Sequence, residues 1–149
     1  MDAMADIFGE ARAAFDRWRR RFPANVFTSD AHLALVLSRY VDGDRLAAIR
    51  ERAEGFGTVV AGRLGTLVEA YRTHLPELVK YDGYGNAVEE IRFDDAYHRA
   101  GELVWGSGLL GYAAVSGGSF EQATLFYLAS LEGEMGHMCA ATCTTGAIR

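Results

Sequence analysis

A chain of 149 residues, half of them hydrophobic and 23% charged, has the size and balance of one compact domain that buries its core without disulfides or metals. Its formal net charge of −5 argues against general attraction to nucleic acid or anionic lipid, and its two cysteines, Cys139 and Cys143, form no disulfide framework. No secretory signal is legible in MDAMADIFGEARAAF, and no run approaches the ~18 apolar residues a spanning helix needs, so the expectation is a soluble cytoplasmic protein with no membrane partner.

The apolar residues fall at helical intervals, with only Pro23 and Pro76 as proline breaks, and the fold class reads all-α. Phe8, Ala11, Phe15, Trp18 and Phe22 place one stripe on a first helix that Pro23 terminates. Ser29 or Asp30 caps a second, whose buried face is Leu33, Val36, Leu37 and Tyr40 and which Gly43 ends. With Asp44 as cap, Leu46, Ile49, Ala53, Phe56, Val60, Leu64, Leu67 and Tyr71 mark the longest helix. Gly55, Gly57, Gly62 and Gly65 interrupt it at up to about 1 kcal/mol each, which predicts a neighbour pressed close against the backbone. Tyr81 to Asn86 is turn chemistry, and Val88 to Phe93 is the one plausible strand region.

Asp94 caps the next helix, carrying Tyr97, Val104, Trp105 and Leu109 into a glycine-rich stretch from Gly106 to Gly118. Ser119 and Gln122 have the spacing of a capping box, and Ala123 to Leu131 is apolar on nearly every side, as an interior helix would be. The segment from Met138 to Arg149 reads as a last helix without a terminator, so the chain is expected to be cut within an element.

Four constellations invite a chemical reading. Gly106-Ser107-Gly108-Leu109-Leu110-Gly111 fits GxGxxG, but a helical pattern leads into it where a dinucleotide site needs a strand. Arg17, Arg19, Arg20 and Arg21 around Trp18 have the types of a nucleic-acid patch, yet cations in a helix's last turn also complement its dipole, and no nucleic-acid role is assigned. His137, Cys139 and Cys143 lack a fourth group at metal spacing and a positioned base, so neither a metal site nor a thiol nucleophile is assigned and the cysteines are expected to be buried. Glu89, Glu90, Asp94 and Asp95 flank a helix start, where acids are stabilising, and His32, His74 and His98 stay without a role.

Lys80-Tyr81-Asp82-Gly83-Tyr84-Gly85-Asn86, then Glu89 to Phe93, then Asp95-Ala96-Tyr97-His98 resemble a signature of acyl-CoA dehydrogenase-like flavoproteins, in the AidB-like branch. Phe120 to Ala123, Phe126 to Leu128, and Gly133 to Cys139 with Thr142, Cys143 and Thr144 resemble the same group, which often has proline where Ala140 stands here. The resemblance implies an incomplete helical bundle, residues 1–149 being the N-terminal α domain of an enzyme whose middle β and C-terminal α domains are absent. It further implies FAD in the complete enzyme and none on this chain alone, α,β-dehydrogenation of acyl thioesters, and no catalytic residue here. Met138, Thr142 and Thr145, one face by i, i+4, i+7 spacing, would line the acyl pocket, against a plainer reading as core packing. The implied partners are the missing flavin-bearing domains or a partner chain, with homo-oligomerisation. The alternative is a self-standing helical interaction module or small subunit of a separate flavin-bearing chain.

Overall fold

The computed structural model describes residues 2–19, 21–133 and 135–148, and the side chains of 9–17, 21–133 and 135–148. Helix α1 spans Asp2–Arg19 and stops ahead of Pro23, as expected. Along its apolar stripe Ala11 and Phe15 are exposed, while the Phe8 and Trp18 side chains lie outside the described residues, as do those of Arg19 and Arg20.

Helix α2, Ala31–Tyr40, is opened by Asp30, whose carboxylate accepts the Leu33 amide proton at 2.8 Å. Its buried face is narrower than the sequence suggests. Leu37 is buried and Leu33 half-buried, but Val36 and Tyr40 are exposed, Tyr40 leaning on Phe120 at 6.3 Å. Gly43, expected to end this helix, instead begins α3, Gly43–Val59, with φ +56°, and Asp42 rather than Asp44 holds the capping position.

The longest predicted helix exists with one modification. Helix α3 runs into a π-helical turn at Val60–Leu64 and then into α4, Gly65–Tyr71, with right-handed helical dihedrals at both junctions. Ile49, Ala53, Phe56, Val60, Leu64, Val68 and Tyr71 are buried along it. The wider turn rotates α4 relative to α3, so Val68 is the buried residue and the predicted Leu67 is half-buried. Of the four glycines, two have the expected close neighbour. A Cβ on Gly57 would lie 2.9 Å from the Phe27 Cβ, because Asn25 straps the loop down by donating to the Glu54 carbonyl and the Thr58 hydroxyl at 2.8 Å. Gly65 faces Glu132, whereas Gly55 and Gly62 have open space beside them.

A hairpin comes next, β1 (Glu77–Tyr81) antiparallel to β2 (Ala87–Arg92), pairing Leu78 with Ile91 and carrying an irregularity between Val79 and Tyr81. Only its second strand is legible in the sequence. Asp82 organises the turn: one carboxylate oxygen accepts from the Tyr84 and Asn86 amides, the other from the Asn86 side chain, and these bonds hold its pKa low. Leu78, Tyr81, Tyr84, Val88 and Ile91 are exposed on this arm.

Asp94 caps α5, Asp95–Gly106, by accepting the Ala96 amide proton at 2.7 Å. Gly108, φ +85°, turns the chain into the short α6, Leu109–Ala113. Helix α7, Ser119–Ser130, lacks the predicted capping box: Gly118 is the capping residue, and Gln122 is buried and donates to the Thr145 hydroxyl. Thr124, Leu125, Leu128 and Ala129 are buried, while Ala123, Tyr127 and Leu131 are exposed, so this helix is interior on one side. Helix α8, Gly136–Ile148, completes the bundle. Helix α4 packs on α5, α7 on α3 and α6, and α8 on α6 and α7. Among the described residues the hairpin is the one sheet, and no helix is long and apolar enough to cross a membrane.

Candidate functional site

The end of α7 makes the most unusual polar feature of the core. Leu131 and Glu132 continue the last turn through bonds to the carbonyls of Leu128 and Ala129, and Gly133, φ +74°, reverses the chain toward α8. The reversal lays the Glu132 carboxyl across Gly65, directly after the π-helical turn; a Cβ there would meet Oε2 at 2.8 Å. Glu132 Oε1 is buried without a hydrogen-bond partner among the described residues. Burial pushes this carboxyl up to about 7, with no cation or donor among the described residues acting against it.

Glu132 stands where three voids meet. A small one of about 10 Å³ lies inward, between Leu64, Val68, Val104 and Met138. Outward on one side, a cavity of about 460 Å³ runs under Phe15 and Phe22. On the other, a cavity of about 390 Å³ lies between α4, the start of α5 and the α7 to α8 turn. Tyr71, Phe93, Tyr97 and Met135 give this second cavity an apolar wall, and His74 and Asp94 stand at it as a pair, Nδ1 to Oδ2, 2.7 Å apart. Tyr97 is held in a column, stacked on Phe93 at 4.6 Å and on the buried His137 at 4.2 Å, with Tyr71 edge-on at 5.4 Å. The Asp94 pKa is lowered, first by the Ala96 amide and then by His74. A carboxyl near neutrality beside a pre-formed apolar cavity can exchange a proton at ordinary pH or meet a cation, which marks it as a candidate site.

The residues singled out in the sequence lie elsewhere. Met138 is 1% exposed and packed in the core, Thr142 is exposed with its hydroxyl donating to the Met138 carbonyl at 2.9 Å, and Thr145 is half-buried and accepts from Gln122. They share one face of α8, and none lines either large cavity. Cys139 and Cys143, expected to be buried, are exposed, whereas His137 is buried in its aromatic slot, and no metal-holding group of three occurs among the described residues. The glycine string is the α5 to α6 junction, where the Arg52 side chain donates to the Ser107 carbonyl at 3.1 Å; it has the helical lead-in expected and no dinucleotide geometry. Glu132 carries no motif in the sequence. One signal does mark it: an acid beyond the last turn of an apolar helix opposes the helix dipole.

The chain matches, over residues 19–149, the family described as the adaptive response protein AidB N-terminal domain. No curated protein and no solved structure matches it.

Proposed function

We propose, from the premise that this chain belongs to the AidB N-terminal domain family and is acyl-CoA dehydrogenase-like, that it is the N-terminal helical part of a flavin-dependent oxidoreductase acting on acyl thioesters. The family match across residues 19–149 carries this reading. The helical bundle is consistent with it. FAD belongs, in this proposal, to middle β and C-terminal α domains or to a partner chain. The described residues do not fit a flavin cradle by themselves: the glycine string lies between helices and the sheet is a two-stranded hairpin. No chemical step is therefore assigned to this chain, and its work is to dock and shape.

Exposed apolar side chains support a docking role. Leu35 and Tyr40 on α2 and Leu78, Tyr81 and Ile91 on the hairpin are more than half exposed, a pattern of surface awaiting a cover in the complete protein, a partner chain or a homo-oligomer. Within an acyl pocket, Thr142 is the candidate best placed to meet a substrate, since it is exposed on α8, whereas Met138 is committed to this bundle's core. The same exposed arm suits the second reading, a small helical subunit of a separate flavin-bearing chain acting in the cytoplasm.

The test begins with the intact mass of the protein produced from its own locus, together with its flavin content. A mass well above 16.3 kDa with bound flavin and thioester dehydrogenation supports the single-chain enzyme, and Thr142→Trp should then raise KM several-fold more than it lowers kcat. A mass of 16.3 kDa with a co-purifying flavoprotein supports the subunit reading. No flavin in either form would overturn both.

A further inference from the structure

The cavity beside Glu132 has the size of a small-ligand site, about 390 Å³, and its walls are already built. Its aromatic side is rigid: Phe93, Tyr97 and His137 form a column, and Tyr71 is 8% exposed. An apolar body of a few carbons can pack there without rearrangement. The polar end is set by Glu132, whose buried Oε1 has no partner among the described residues and whose carboxyl lies between this cavity and its neighbour. A desolvated carboxylate gains most from a cation that brings its own hydrogen-bond donors. Among the described residues the nearby cation is Arg72, which is exposed and engaged with Glu69 at 3.4 Å.

We propose that this cavity is a binding site for a small organic ammonium ion, its charged nitrogen against the Glu132 carboxylate and its apolar body against Tyr71, Phe93 and Met135. The site is independent of flavin and of the acyl thioester reading. Among the described residues, the ionisable and charged groups around Glu132 are Glu69 on α4, Arg72 just past its end, His74 and Asp94 at the cavity wall, and His137 on α8. Of these Glu132 itself sets the pH dependence, because the ammonium needs it ionised.

The 149-residue chain is titrated calorimetrically with 4-phenylbutylamine and with 4-phenylbutanol, its uncharged counterpart. The amine should bind at least tenfold more tightly than the alcohol at pH 8. Lowering the pH to 6 should weaken the amine about tenfold, since a carboxyl titrating near 7 passes from about nine-tenths to about one-tenth ionised, and should leave the alcohol unchanged. Glu132→Gln, which keeps the side-chain shape, should weaken the amine at least tenfold and flatten its pH profile. Equal affinity for amine and alcohol, no amine binding, or a pH profile that persists in Glu132→Gln would each overturn the assignment.

Discussion

Replacing Glu132 by glutamine should stabilise the protein at alkaline pH and fail to do so at acid pH. The folded carboxyl titrates near 7 and the unfolded one near 4.5, so the folded state holds the proton more tightly. Below pH 4.5 both states are protonated and the burial cost is absent. Between the two values the unfolded chain ionises first and stability falls as pH rises; above 7 the cost is constant. At about 1.4 kcal/mol per pH unit the full difference amounts to about 3 kcal/mol. Because the group is only partly buried, solvent screening reduces this to about 1–2 kcal/mol. The assay is urea unfolding of both proteins at pH 4 and pH 8, with the gain from glutamine taken at each. A gain at pH 8 exceeding that at pH 4 by at least about 1 kcal/mol is expected from the same linkage. Equal gains at the two values would refute the idea that this carboxyl is strained by burial.

Gly65→Ala should push the Glu132 carboxyl out toward the cavities, since its Cβ would lie 2.8 Å from a mobile oxygen; NMR titration should then find the carboxyl pKa well below 7, and an unchanged value would place the group elsewhere. Gly57→Ala meets the Phe27 Cβ at 2.9 Å and its backbone nitrogen at 3.0 Å, neither of which can swing away, and should cost about 1–3 kcal/mol in urea unfolding. Asp94→Ala should lower the melting temperature, most visibly above the ordinary aspartate pKa of 3.8, because the lowered pKa means its contribution is present there and lost as pH falls; Asp94→Asn, which keeps an acceptor for the Ala96 amide, should restore part of it.

Much of the helical frame is legible because apolar spacing and capping chemistry act locally. Asp30 and Asp94 cap where their positions require, and the buried series from Ile49 to Leu64 follows the sequence pattern. The departures have specific causes. Gln122 has the spacing of a capping box with Ser119, but α8 offers it Thr145, a partner 23 residues away that no local rule sees. Strand β1 is hidden because ELVKY is short and exposed and its pairing depends on Asp82 folding the turn. Cys139 and Cys143 are small and apolar enough to be core residues, yet a helix whose buried face is His137, Met138 and Ala141 leaves them outside.

The candidate site is illegible in the sequence for a different reason: it joins three features that each look ordinary along the chain. A glycine in a long helix, an extra residue in one helical turn, and an acid after the end of another helix become a unit only where the turn after α7 brings Glu132 against Gly65 at the start of α4. The π-helical turn sets the rotation of Gly65, and the missing Cβ leaves room for a carboxyl that a hydrophobic side chain would otherwise exclude. Each element carries a cost alone, the glycine in helix propensity and the carboxyl in desolvation. Coincident local costs in one place are where a fold has been shaped by something other than stability. On this bundle that place is the wall of the Tyr71, Phe93 and Met135 cavity, and a cation delivered to Glu132 is the simplest means of recovering the desolvation that burial imposes.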